Sequence, residues 1–243
     1  ENGQNYVAWA WKAGGTPSIN TDGSIPSVVS ANPAAGFSIV SYTGTETIST
    51  IGHGLSLEPK MIIVKRRENN DNWYVYNSNL SGINNYLQLN TTASELSFSP
   101  SIWGGTPPNS TVFSVGTDPS TSSLSEKMIA YCFAEVAGFS KFGIYDGGTI
   151  TSSNIVNLGF RPAFVMLKPT QTVNDWIIYD NKRDTTDPLQ HILYPATSGV
   201  EQISTNDDYN LYTTPNGFYF NNTNGFINRS ASDVIYMAFA DQF

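Results

Sequence analysis

Two histidines, one cysteine and 20 acidic side chains set what chemistry this 243-residue chain can perform. A serine hydrolase needs a histidine fixed by a carboxylate and a serine on a constrained turn. Neither His53, in Gly52-His53-Gly54, nor His191 sits in such a motif, and no G-x-S-x-G elbow occurs. His53 reads instead as a turn residue flanked by glycines for backbone reasons. Glycosidic cleavage needs two carboxyl groups facing one cleft. Glu135 and Asp241 end two matching segments and Asp207-Asp208 share a polar loop, but no E-x-D-x-x-E strand is present. These acids read as polar groups where strands surface and chains turn. H-E-x-x-H, C-x-x-C and the EF-hand spacing are absent, and the single Cys132 excludes an intrachain disulfide and a multi-cysteine metal site. A loop-bound calcium ion at Asp207-Asp208 or Asp22 is the one cofactor left open. The expectation is a protein that is not an enzyme, with no catalytic and no metal-ligating residues to name.

What remains is a surface of Tyr, Trp, Asn, Asp, Thr and Ser, which suits recognition of sugars. Aromatic rings stack on pyranose faces while amides and carboxylates accept hydroxyl hydrogen bonds. The ligand-binding candidates are Trp103 in Ile102-Trp103-Gly104-Gly105, Tyr86, and the group Asp207, Asp208, Tyr209 and Tyr212. The cluster Lys65-Arg66-Arg67 reads as a solvated strand end that an anionic polysaccharide could use. With 12 basic against 20 acidic residues and a net charge of −8, the chain lacks the basic footprint that phosphate binding requires, so nucleic acid is not an expected partner. The longest mainly apolar stretch, Met128 to Phe139, is broken by Glu135 and is too short for a spanning helix, so membrane insertion is not expected either.

The elements that must position these groups repeat. Gly36-Phe37-Ser38 returns as Gly138-Phe139-Ser140, a shift of 102. Tyr42-Thr43-Gly44, Pro59 to Lys65 and Trp73-Tyr74-Val75-Tyr76 return at Tyr145, Pro162 and Trp176, each shifted by 103. Ile129 to Glu135 answers Ile235 to Asp241, shifted by 106. Small loop insertions account for the drift, and the order is kept. Val7-Ala8-Trp9-Ala10-Trp11 echoes the closing segment Ile129-Ala130-Tyr131-Cys132-Phe133. Tyr6 to Lys12 is therefore expected to be the last strand of a preceding unit, or a strand completing the first sheet, with Ala13 to Ala35 as connector. The expected organisation is a leader over 1–35, a first unit over 36–137 and a second over 138–243. The chain starts at Glu1 without a signal-peptide pattern, and so reads as a piece of something longer.

Within each unit the pattern is strand. Phe37-Ser38-Ile39-Val40-Ser41-Tyr42 alternates with period two, whereas Lys60 to Lys65 and Ala163 to Lys168 are continuous apolar runs, as in strands buried on both faces. Six or seven short strands per unit, separated by Asn, Gly, Ser and Pro turns, predict an all-β protein of two tandem antiparallel β-sandwiches of jelly-roll or lectin-like type.

Several of these segments, read together, resemble a family of bacteriophage structural proteins best known from marine and cyanobacterial phages. They include Tyr6 to Gly15, Asn20 to Ile25, Ala35 to Gly44, Gly52-His53-Gly54-Leu55, Pro59 to Lys65, Ile129 to Glu135, Gly138 to Gly143, Gly159 to Ala163, Lys182-Arg183-Asp184 and Ile235 to Ala240. The resemblance implies a virion component, a tail fibre or receptor-binding protein sometimes described as lectin-like, and carries no catalytic residue across. The chain departs from the pattern in Arg66 to Asn70 and Thr205 to Thr214, loops where host-range differences are expected. The expectation is a module on the virion, outside the cell, adhering without covalent chemistry to a host-surface glycan or protein. Its other partners would be virion tail proteins and its own copies in a homotrimer. A polysaccharide depolymerase and a purely structural decoration protein are the alternatives.

Overall fold

The structure is a computed structural model that describes residues 6–98 and 101–241, so both extreme ends of the expected organisation lie outside the described residues. The leader supplies β1 (Ser18–Asn20) and β2 (Ser27–Asn32). The first unit supplies β3 (Phe37–Thr43), β4 (Ser49–Gly52), β5 (Pro59–Arg66), β6 (Tyr74–Asn77), β7 (Asn85–Gln88), β8 (Leu96–Ser97), β9 (Val112–Val115) and β10 (Lys127–Ala134). The second unit supplies β11 (Ser140–Asp146), β12 (Val156–Asn157), β13 (Phe164–Pro169), β14 (Ile177–Asp180), β15 (His191–Ile192), β16 (Gln202–Ile203), β17 (Tyr212–Thr214), β18 (Gly217–Tyr219) and β19 (Asp233–Phe239). One helical turn, Pro119–Ser122, is capped by the Asp118 carboxylate accepting from Ser120 N–H.

The large sheet of the first unit runs β1-β2-β3-β10-β5-β6-β7-β8, and that of the second runs β11-β19-β13-β14, with an Ile178–Leu193 bridge leading on to β15. The order is the same in both: the closing strand lies between the first and third strands of its unit. Register makes the correspondence residue by residue. Phe133 pairs with Phe37 and Met61, and Phe239 pairs with Ser140 and Phe164. The spatial counterpart of Phe37 is therefore Ser140 rather than Phe139, one residue off the Gly-Phe-Ser match in the letters.

Each large sheet is covered on both faces, which explains the continuous apolar runs. On its outer face lies a small sheet, β4-β9 in the first unit and β12-β18-β17 in the second. Between large and small sheet sit Val40, Tyr42, Ile62, Val64 and Phe113 in one unit, and Tyr145, Val165, Leu167, Tyr179 and Phe218 in the other. The inner faces of the two large sheets pack on each other through Phe37, Met61, Ile63, Val75 and Phe133 against Phe142, Phe164, Met166, Trp176, Ile178 and Phe239. The molecule is thus four β layers around three cores. Burying one such side chain contributes roughly 1.5–3 kcal/mol, so the central layer is a main source of stability.

Polar groups lock the central layer at its margins. Trp176 Nε1–H donates to the Gln88 carbonyl at 3.0 Å, and Asn174 N–H to Thr92 at 3.0 Å. Lys168 is fully buried and donates from Nζ to the carbonyls of Thr92 (3.2 Å) and Asn174 (2.6 Å). Burial pushes its ammonium down to about 8.

The leader departs from expectation. Tyr6 to Lys12 forms no strand, because β10 already occupies the place between β3 and β5 that a closing strand would take. Trp9 and Trp11 instead cap the open end of the central core, with Trp11 edge-on to Phe133, Phe164 and Phe239 at 5.5–5.9 Å. Ala13 to Ala35 is more than a connector, since β1 and β2 extend the first sheet from the free edge of β3.

Because the central core is shared, both units are expected to unfold in one cooperative transition in urea. Trp176→Ala should lower stability by about 3–5 kcal/mol without splitting that transition. Two separated transitions in the parent protein would contradict a shared core.

Candidate functional site

The sequence candidates fall into two groups in space. Trp103 is a correction: it is 2% exposed and belongs to the core of the first unit. Its indole N–H donates to the Asn85 carbonyl at 3.0 Å and its ring meets Tyr76 edge-on at 5.8 Å. Gly104 and Gly105 both take positive φ, which lets the loop fold back and drive the indole inward. Tyr86 is half-buried on β7, 5.5 Å from Tyr74, and packs on that same core. Tyr209 is structural as well: its carbonyl accepts from Tyr179 Oη at 2.6 Å, and its ring lies 5.4 Å from Phe226.

Asp207, Asp208 and Tyr212 do come together, at the outer sheet of the second unit. A 3-10 turn, Asp207–Tyr209, delivers both acids to the start of β17. Strands β17 and β18 form a hairpin closed by Pro215-Asn216, with Thr214 opposite Gly217. Phe218 and Leu211 point into the core with no exposure. Strand alternation sets Tyr219 and its cross-strand partner Tyr212 on the other face, where both stay partly buried and Tyr219 still packs against the edge of the core. Their rings stack at 5.0 Å with 16° between planes. Tyr212 Oη donates to Asp207 Oδ1 at 2.9 Å, and the side chains of Asn221 and Asn210 also face this hydroxyl. Partial burial, together with the Asp207 carboxylate, raises the Tyr212 phenol above its ordinary range. Asp208 accepts from the side chains of Asn206 (2.7 Å) and Asn222 (2.8 Å).

Asn210 completes the cluster and is the group the sequence did not reveal. It is 7% exposed, yet its Oδ1 has no hydrogen-bond partner. A buried acceptor left unmet costs about 1–3 kcal/mol. Tyr219 was also missed, although Tyr212-Thr213-Thr214-Pro215-Asn216-Gly217-Phe218-Tyr219 places two tyrosines at mirror positions about a Pro-Asn-Gly turn. The first unit carries Ser114 where β18 carries Tyr219, and among the described residues no strand corresponding to β17. The platform thus belongs to one half of a duplicated scaffold.

Other candidates are bound into the scaffold. His53 is fully buried, its Nε2 3.0 Å from the Asn109 carbonyl and its Nδ1 accepting from Leu55 N–H at 3.2 Å. That places the proton on Nε2 of a neutral ring. Glu135 accepts from Phe142 N–H at 3.0 Å, and Asp241 pairs with Lys182 at 2.7 Å. Arg66 pairs with Glu126 at 2.7 Å, which fixes the basic cluster at the end of β5. Asp22 accepts from Asn20, and among the described residues no three His, Cys, Asp or Glu side chains converge as a metal site. A cleft of about 830 Å³ opens beneath residues 7–12, floored by Phe164 and Phe239 and rimmed by the paired groups Asp180 with Arg183 and Asp241 with Lys182. It is the end of the central core under its tryptophan cover.

The fold and site define a doubled all-β sandwich with an aromatic and amide platform on one outer sheet. The family described as a domain of unknown function (DUF7483) matches the chain over residues 1–242, and the protein belongs to that family. No curated protein and no solved structure matches it.

Burial holds the His53 imidazole below its ordinary 6.5. As pH falls past that value the unfolded chain takes up this proton before the folded protein does. The His53 contribution to stability is full above about pH 6.5 and is lost progressively below it. His53→Asn should shrink the loss of urea midpoint between about pH 7.5 and 5.5 relative to the parent; an unchanged pH dependence would count against a neutral buried imidazole.

Proposed function

We propose that this chain is an adhesion module of a phage virion appendage, a tail fibre or receptor-binding component, whose second unit holds a host-surface glycan without covalent chemistry. The observation that carries the reading is the stacked, half-buried tyrosine pair of β17 and β18, set beside carboxylate and amide groups and confined to one repeat. Stacked, half-buried rings present rigid apolar area at little entropic cost, and the flanking acceptors supply direction to hydroxyl donors. Tyr219 also packs against the core of its unit, whereas Tyr212 is not part of that core and sits on a strand without counterpart in the first unit, so a ligand is the economical reason for its presence. Assembly with other virion proteins, as a homotrimer outside the cell, would multiply a weak single site by avidity.

The free chain is expected to compete with adsorption of the phage that carries it, and stripping the surface polysaccharide from host cells should abolish that competition. Tyr212→Ala and Tyr219→Ala should each weaken competition by about tenfold or more with the fold intact by circular dichroism. Competition that survives polysaccharide removal would assign the receptor to protein. Activity on host polysaccharide that disappears on changing Asp207 or Asp208 to its amide would favour a depolymerase, and no competition at all would favour a decoration protein.

A further inference from the structure

The two large sheets differ in width, and the difference leaves room for a strand. Beyond β3 the first sheet continues with β2 and β1, whereas β11, the counterpart of β3, ends its sheet. Like margins of the sheets lie together: Trp176 before β14 reaches the Gln88 carbonyl of β7, and Phe142 of β11 lies 6.2 Å from Phe133 of β10. The first sheet therefore extends past the edge of β11. On its inner face, the one that carries Ile39 into the central core, Val28 lies opposite Ser41 and Ile19 opposite Val28. Val28 is 45% exposed and Ile19 77%, while Ile144, two residues along β11 from the core residue Phe142, is 39% exposed.

We infer that the edge of β11 takes an extended strand of a partner polypeptide, which widens the second sheet by antiparallel pairing and lies over Val28 and Ile19. The first unit shows what such a strand is, because β2 pairs in this way with the equivalent edge of β3. The backbone of β11 is prepared for one. Ala240 N–H donates to the Phe139 carbonyl and Gly147 N–H to that of Ser232, so Phe142, Ile144 and Asp146 turn their peptide groups away from β19. Among the described residues, Ile144 N–H and C=O, Phe142 C=O and Asp146 N–H find no partner on that side. Phe142 N–H donates to the Glu135 carboxylate at 3.0 Å, which holds the place of an incoming carbonyl. Residues 135–139, between β10 and β11, are too few to supply the strand, and a second copy has its own β1 and β2 already paired. In the register of the first unit, Ile144 takes the place of Ser41, so the strand sets an apolar residue there as β2 sets Val28.

The test titrates the full chain with a labelled peptide copying residues 24–33, which carry β2, and reads fluorescence anisotropy. Glu135→Ala is expected to tighten binding by roughly tenfold, since a charge-assisted hydrogen bond no longer competes for Phe142 N–H. Glu68→Ala, which removes an exposed acid in the loop after β5, should leave the affinity unchanged. Ile144→Pro deletes an outward N–H on an edge where proline is tolerated, and should abolish binding. Methylating the peptide nitrogens at its Val28 and Ser30 positions should do the same, by removing the donors to Ile144 and Phe142. Ile19→Asp, at an exposed position outside every core, should weaken binding by about tenfold. No saturable binding to the parent or to Glu135→Ala below about 1 mM would overturn the inference. So would binding indifferent to Ile144→Pro and to peptide methylation; should Ile144→Pro fail to fold, the methylated peptide and Ile19→Asp decide. Self-association of Glu135→Ala that Ile144→Pro removes would overturn the assignment to a partner polypeptide in favour of a second copy.

Discussion

The structure depends on one constraint: each large sheet has two apolar faces, and both must be covered. Small sheets cover the outer faces, and the inner faces have only each other. Phe133 and Phe239, at equivalent points on the closing strands, stand in the middle of that contact, and Phe164 and Trp176 fill it from one side. The closing strand is the last of its unit in sequence but central in its sheet, so neither sheet is complete until its whole unit has been made. This topology joins residues about 100 positions apart in each unit, a long-range pairing of the kind that folds slowly.

A scaffold fixed in this way leaves its outer surfaces free to differ. The first unit uses its free edge to accept β1 and β2 from the leader, which widens the sheet. The second unit instead adds β17 to its outer sheet and stacks Tyr212 on the half-buried Tyr219. Equivalent core positions stay chemically alike, as Tyr42 and Tyr145 do by donating to the carbonyls of Thr121 and Ile227. Divergence is concentrated where packing does not dictate the residue, and that is where a ligand can be accommodated.

Much of the fold was legible in the letters because the repeat preserves the in–out alternation of every strand, and because a strand with two buried faces must read as an unbroken apolar run. The leader was not legible. Ser18-Ile19-Asn20 has the composition of a turn and becomes a strand only because the edge of β3 offers it partners. Trp103 was misread for a related reason: an aromatic in a Gly-Gly loop looks exposed until positive φ angles at both glycines fold it inward. Half of the candidate site was visible in Asp207, Asp208 and Tyr212. Tyr219 was hidden inside Gly217-Phe218-Tyr219-Phe220, which reads as core throughout, and an unpaired oxygen on Asn210 is a property of tertiary packing that no residue name records.

The central contact has a further consequence. Met61 faces the same layer as its counterpart Phe164, Ile63 as Met166, Val75 as Ile178, and Phe133 as Phe239, so the two units meet through the same patch of each. A self-complementary contact of this kind is the isologous geometry of a twofold homodimer. Covalent tethering turns such a dimer's concentration-dependent association into an intramolecular one, holding the halves together at any dilution. It also releases them from identity, since a substitution in a tethered half is no longer imposed on its mate. A one-sided tyrosine platform on an otherwise matched pair is an outcome that a dimer of identical chains could not reach.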